Sequence, residues 1–359
     1  MCFNAPMPRF MLGKQRILLR QVSRSFYLTL RMLPASIRPQ IGLAYLLARA
    51  TDTIADTRLV PVERRRAALR EMRAAIRAVA EGRRAEAPDF GEVAEAQEGP
   101  AGQGSRAERA LLENAPEVLE ALGAMPPEDR RRICELLELI THGQQTDLAR
   151  FASASPDRIA AFDTDKDLEE YTYCVAGCVG EFWTATCRAH LFPKAELDDT
   201  LLLADAIRFG KGLQLVNILR DLPRDLRQGR CYMPRTRLAE LGLEPVALLN
   251  ASEMGRFRPL YASYLEKARE LLAAGWAYTN ALPRSQVRVR LACAWPILIG
   301  MKTLSRLRAG NVLDDRRRIK VSRWEVRRLM LRSMLCYPSP RAWDRLFTQA
   351  GADPRYWPL

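Results

Sequence analysis

At 359 residues the chain can bury a substantial core and could hold one large domain or two ordinary ones. Hydrophobic residues make up 48% and charged residues 27%, which excludes a disordered chain, and the longest apolar run, residues 291–301, is too short for the ~20 residues of a membrane span. With 56 basic against 42 acidic residues the net charge is +14, which suits an anionic partner such as nucleic acid, anionic headgroups or a diphosphate. The eight cysteines show no Cys-x-x-Cys spacing and only two histidines accompany them, which argues against a zinc site. No signal pattern opens the chain, so a cytoplasmic protein with reduced thiols is expected, able to touch a membrane surface without crossing it.

In chain order, residues 1–14 read as an N-terminal arm, followed by an amphipathic segment over 15–34. That segment holds Ser23, Arg24, Ser25 and Phe26, a cluster able to donate several hydrogen bonds to a phosphate or simply to cap a helix. A helix is expected from Pro39 to Thr57 and another over 62–85. Residues 86–106 read as a mobile low-complexity loop. Helical periodicity returns over 108–122, 128–151 and 167–190, where Gly177 and Gly180 point to close approach of a neighbour or ligand chain. Further helices are expected over 201–225, 259–280, 287–308 and 322–336. No period-2 alternation and no internal repeat is visible, so the expectation is one all-α domain with a central cavity.

Two of these helices carry the chemistry. After Gln214 come Asn217, Asp221 and Asp225, three, seven and eleven residues on. Offsets of seven and eleven drift by only about 20°, so one stripe carries all four, while Leu215, Val216, Ile218, Leu219 and Leu222 cover the other sides. The same design appears upstream, where Arg49, Asp52 and Asp56 follow Tyr45 at four, seven and eleven. Each Asp-x-x-x-Asp pair alone reads most simply as a solvated face with an arginine partner. Two pairs in matching apolar contexts read better as two walls of one acidic pocket holding Mg²⁺, which takes one or two carboxylates plus water and phosphate oxygens.

Taken together and in order, Ser23-Arg-Ser-Phe26, Tyr45…Arg49…Asp52…Asp56, Tyr171…Gly177…Gly180, Gln214…Asn217…Asp221…Asp225 and Gly229-Arg-x-Tyr-x-Pro234 resemble the squalene/phytoene synthase family, nearest its squalene-forming members. The resemblance implies an isoprenoid-synthase-type helical bundle. It implies that Asp52, Asp56, Asp221 and Asp225 hold Mg²⁺ on substrate diphosphates, and that Tyr171 assists proton removal and stabilises carbocations. Arg24, Arg49, Arg220 and Arg230 match positions that contact phosphates of substrate or cofactor, with Ser23 and Ser25 assisting and Tyr45, Gln214 and Asn217 lining the polar end. The implied reaction joins two farnesyl diphosphates head to head through presqualene diphosphate, then reduces the product to squalene with NADPH. Lys320 and Arg323, within the basic run 316–323, are the cofactor candidates, since no Gly-x-Gly-x-x-Gly module is present.

Three features depart from the family pattern. Ala55 and Arg224 stand where a glutamate would precede the last Asp of each pair, and residues 289–292 lack expected aromatics. Pro223 should kink its helix and leave the Leu219 carbonyl without its partner. The rival enzyme of the same family forms phytoene or dehydrosqualene without a reductant. A rival of another class, a basic helical module on nucleic acid or anionic membrane, leaves both carboxylate pairs unexplained; nucleic acid is therefore not expected as a partner.

Overall fold

Apolar residues recurring every three or four positions build helix almost throughout the computed structural model, which describes residues 14–23, 26–85, 88–98, 105–155, 157–314, 316 and 319–351. The expected N-terminal arm lies outside the described residues up to position 13. The fold is all-α. Among the described residues its strands are two-residue pieces, β1 (Ala160–Ala161) and β2 (Arg230–Cys231), paired in parallel. The chain divides into two compact units, Met1–Ala149 with Ala185–Pro193, and Arg150–Thr184 with Lys194–Leu359.

The first unit is organised around α3 (Arg38–Asp56), which has Pro39 in its first turn, where the missing N–H leaves no intrahelical bond unmade. Leu43, Leu46, Leu47 and Ile54 on α3 are fully buried. They pack beneath α1 (Lys14–Val22), α2 (Phe26–Met32), α4 (Val62–Ala80), α6 (Arg106–Glu113) and α7 (Ala115–Gly123). The sequence suggested one helix where α6 and α7 stand; Pro116 starts a new helix after Asn114, whose amide donates to the Ala110 carbonyl at 2.7 Å. On α8 (Pro127–Arg150), Asp129 is 3% exposed and bonded to Gln40 at 2.9 Å, His190 at 2.7 Å and Arg132 at 3.0 Å. Burial pushes its carboxyl up, but those partners outweigh burial and hold it below the usual carboxylate range. The stretch read as loop over 86–106 contains a short helix, α5 (Gly91–Glu95), because Phe90, Val93 and Ala94 share a face and are buried; residues 86–87 and 99–104 lie outside the described ones.

The second unit is built on α11 (Asp199–Arg227), flanked by α13 (Met254–Ala281) and α14 (Val287–Ala309). The single helix expected over 167–190 is three pieces: α9 (Asp165–Thr172), a π-helical turn over Tyr173–Gly177, and α10 (Cys178–His190), whose residues from Ala185 group with the first unit. A π turn inserts one residue per turn and re-aims the helix beyond it. Gly180 and Gly210 explain how closely this segment lies on α11. A Cβ on Gly180 would stand 2.1 Å from the Ala206 carbonyl oxygen, and one on Gly210 2.1 Å from that of Ala176. The sequence expectation of close approach at Gly180 is met by a neighbouring backbone. Beyond α12 (Arg235–Ala239), the unit ends in α15 (Arg323–Cys336) and α16 (Pro340–Gly351). The sequence reading omitted α16, although Trp343, Leu346 and Ala350 fall on one buried face.

Candidate functional site

On α3 the covered faces leave one stripe partly open, that of Tyr45, Arg49, Asp52 and Asp56. Arg49 bridges two acids, donating to Asp52 at 2.5 Å and to Glu108 on α6. Glu108 is 5% exposed and is fixed by Ser105, which caps α6. The Asp52 side chain keeps 45% of its surface open, yet the protein around it makes desolvation the first cause pushing its carboxyl up to about 7. The charge of Asp56 is the second cause, and Arg49 only partly offsets the two. With Arg49 shared between Asp52 and Glu108, and Asp56 acting on Asp52 as a second negative charge, a divalent cation would relieve the crowding of carboxylates.

On α11, Gln214, Asn217, Asp221 and Asp225 line one stripe, and Leu215, Val216, Ile218, Leu219 and Leu222 are buried on the other sides, as the spacing predicts. The Asn217 amide reaches Gln214 Oε1 at 3.5 Å. Arg220 grips Asp221 with both prongs of its guanidinium, Nε to Oδ1 at 3.0 Å and Nη2 to Oδ2 at 2.6 Å. That hydrogen bonding, ahead of the opposing effect of burial, holds Arg220 above its ordinary pKa. The helix passes through Pro223 without a break. The Leu219 carbonyl, which the sequence left without a partner, accepts the fully buried Tyr261 hydroxyl at 3.0 Å.

Tyr171 stands at the end of α9. A Thr164–Asp167 capping box starts that helix, Asp165 accepts the Tyr264 hydroxyl at 2.6 Å, and Asp167 accepts Arg150 at 2.8 Å. The β1–β2 pairing brings Tyr232 beneath Tyr171, with ring centroids 5.1 Å apart and nearly parallel, and sets Phe162 edge-on at 5.6 Å. Phe151 completes the cluster, with Arg230 over its ring at 5.7 Å. Both α9 and β2 pack on α11, so an aromatic cluster and an acidic stripe share one framework.

Of the remaining predicted residues, Ser23, just past the end of α1, is buried and its hydroxyl donates to the Leu19 carbonyl of that helix, so its proton is not offered to a phosphate. Arg24 and Ser25 lie outside the described residues, as does the side chain of Phe26. Lys320 and Arg323 are exposed, the latter opening α15, and their charges suit the phosphate end of a nucleotide. Cys174 and Cys178 are free thiols, with Cys178 bonded to the Cys174 carbonyl, which fits their reading as small packing residues. Among the described residues, no group of three or more His, Cys, Asp and Glu could by itself hold a metal ion. Two carboxylates on each helix fit Mg²⁺, which completes its shell with water and substrate oxygens. Sequence reasoning missed Glu108, whose Ser105-x-x-Glu108 box was a visible signal. It also missed the partnership of Phe162 and Tyr232 with Tyr171, because a two-residue parallel pairing leaves no alternating pattern to read.

A family model described as squalene/phytoene synthase matches residues 19–325. The bifunctional lycopene cyclase/phytoene synthase of Blakeslea trispora is 30% identical over 79% of this chain and 43% of its own. The phytoene synthase of Thermus thermophilus is 30% identical over 49% of this chain and 57% of its own. The matched part covers 35–43% of the length of the first curated relatives. Among solved structures, ligand-bound TcSQS superposes with a TM-score of 0.72 at 22% identity, covering 94% of this chain and 89% of that one. A ligand-bound dehydrosqualene synthase gives 0.65 at 21% identity, over 92% and 96%. These likenesses are of fold.

Proposed function

The chain belongs to the squalene/phytoene synthase family, and from that premise we propose that it joins two prenyl diphosphates head to head, taking farnesyl diphosphate to squalene with NADPH as reductant. The observation that carries this is the framework of the second unit, where α9 and β2 set a cluster of four rings on the same α11 that presents Asp221 and Asp225. The substrates are amphiphiles with the same two needs, a charged end held by polar groups and a reacting carbon kept among rings.

In the first half-reaction the C–O bond of one prenyl diphosphate breaks and the diphosphate leaves with the electron pair. The double bond of the second substrate attacks the allylic cation, and proton loss closes a cyclopropane. A second ionisation and rearrangement complete the carbon skeleton. Asp52, Asp56, Asp221 and Asp225 would hold Mg²⁺, which when bound supplies positive charge where negative charge builds on the leaving group. Arg49, Arg220 and Arg230 would contact the phosphates, with Gln214, Asn217 and Tyr45 hydrogen-bonding at the same end. The Tyr171 ring, held face to face with Tyr232, stabilises cationic carbon by ~2 kcal/mol when desolvated, and its hydroxyl is the candidate to guide the departing proton. Buried Phe151 and Phe162 keep water from quenching the cation to an alcohol. NADPH would supply the closing hydride, with Lys320 and Arg323 on its phosphates.

A second reading, phytoene or dehydrosqualene formation without a reductant, draws support from the phytoene synthases among the relatives. One assay separates the two: purified protein, farnesyl and geranylgeranyl diphosphates, Mg²⁺, with and without NADPH. Squalene formed only with NADPH is expected; phytoene or dehydrosqualene formed regardless of NADPH overturns the product assignment. Asp221→Asn should cut diphosphate release by about 10²–10³-fold, the usual cost of one electrostatic stabiliser, while the helical circular dichroism signal is unchanged. Normal turnover would remove Asp221 from the site.

A further inference from the structure

Beyond Arg323, the outer face of α15 carries side chains that the proposed reaction does not use. Its inner side is fastened to the second unit: Trp295 on α14 donates to Ser333 at 2.9 Å, and Ser333, with no exposure, donates on to the Met330 carbonyl at 2.7 Å. Glu325, the one acidic residue on the helix, is spent on Arg306 at 2.6 Å and on capping Ser322. With the inner side fixed, helical geometry dictates what faces outward. Trp324, Leu331 and Leu335, at offsets of seven and eleven, form one stripe, exposed by 65%, 56% and 73%. Arg327 lies along one edge of that stripe and Arg328 along the other, both exposed, with the Arg328 guanidinium over the Trp324 ring at 5.4 Å. Between Arg316 and Arg332 the sequence holds eight basic residues and one acid.

We infer that α15 is a membrane-docking helix, lying in the plane of an anionic lipid surface with Trp324, Leu331 and Leu335 inserted at the headgroup boundary. An interfacial helix needs an apolar stripe, an indole for the boundary and cations on both edges, and α15 supplies all three. The two rows of arginine also decide between occupants. In a two-fold dimer through this face each row would meet cations of the second copy, whereas anionic headgroups neutralise both rows at once. No helix among the described residues, α15 included, is long and apolar enough to cross a bilayer. The surface does not depend on which prenyl diphosphate the protein uses, and its test reads no turnover.

The test is co-sedimentation of the full chain with vesicles of phosphatidylcholine alone or with 30 mol% phosphatidylglycerol (roughly the charge of an anionic leaflet), across a salt series. Expected is binding to the anionic vesicles at least tenfold above neutral ones and weakening with salt. The pair Leu331→Ser/Leu335→Ser should lower the partition coefficient tenfold or more at fixed salt. Arg327→Gln/Arg328→Gln should instead flatten the salt dependence. Val246→Ser, at an exposed apolar site elsewhere, should change neither. Circular dichroism of each variant confirms that the fold is retained. Binding unaltered in the Leu331/Leu335 pair, no preference for anionic vesicles, or a concentration-dependent dimer that this pair abolishes would each overturn the assignment.

Discussion

A proline inside a helix asks a question of one atom, the carbonyl four residues back. At Pro223 that atom is the Leu219 oxygen, and the Tyr261 hydroxyl answers it from α13. The bond is buried, so losing it exposes the full cost of an unsatisfied acceptor, about 1–3 kcal/mol. Tyr261→Phe should therefore destabilise the protein by that amount in urea unfolding. Pro223→Ala restores a backbone N–H at position 223, which the Leu219 carbonyl can accept. Added to Tyr261→Phe, it should recover much of the loss, giving a coupling above ~0.5 kcal/mol in the double-mutant cycle. Strict additivity would show that the tyrosine packs without bonding. The question was legible in the sequence, since a proline four residues after Leu219 is enough to pose it. The answer was not, because nothing in the spacing says which of the ten tyrosines turns its hydroxyl there.

Where two helices cross, side-chain bulk decides how near they come. At Gly210 an added Cβ would meet the Ala176 carbonyl oxygen at 2.1 Å, an atom of the backbone that cannot rotate away. Gly210→Ala gains up to about 1 kcal/mol of helix propensity but must push the π turn over Tyr173–Gly177 off α11. Overpacking of this kind costs ~1–3 kcal/mol or more, so the net effect should be destabilising. Gly255, exposed on α13 with nothing within 4 Å of its Cβ position, is the control: Gly255→Ala should be neutral or stabilising by up to about 1 kcal/mol. Thermal denaturation of the two variants compares them directly, and equal shifts would refute the close-crossing argument. Element by element, long amphipathic helices such as α8 and α11 were readable because their burial pattern repeats over several turns. The π turn was not, since its residues fit ordinary helix as well, and β1 and β2 are too short to carry any period.

Over the whole chain, the class of fold and the acidic stripes were legible in the sequence, because each rests on local spacing. The division into two units was not, since no change of composition marks it and Ala185–Pro193 return to a unit whose other residues end at Ala149. Stability is the property in which both units and both acidic stripes are read together. A ligand that binds only the folded state adds RT ln(1 + [L]/Kd), about 2.7 kcal/mol at 100-fold over Kd. At roughly 2 °C per kcal/mol for a chain this long, Mg²⁺ with inorganic pyrophosphate should raise Tm by a few degrees. The face of α3, where Asp52 is pushed up to about 7 by burial and by Asp56, accepts an anion only with a cation present, so pyrophosphate alone should do much less. Asp52→Asn and Asp221→Asn should each reduce the gain given by the pair. An equal rise with pyrophosphate in the presence of a chelator would mean that Arg49, Arg220 and their neighbours bind the anion unaided, and the carboxylates would lose their role as metal ligands.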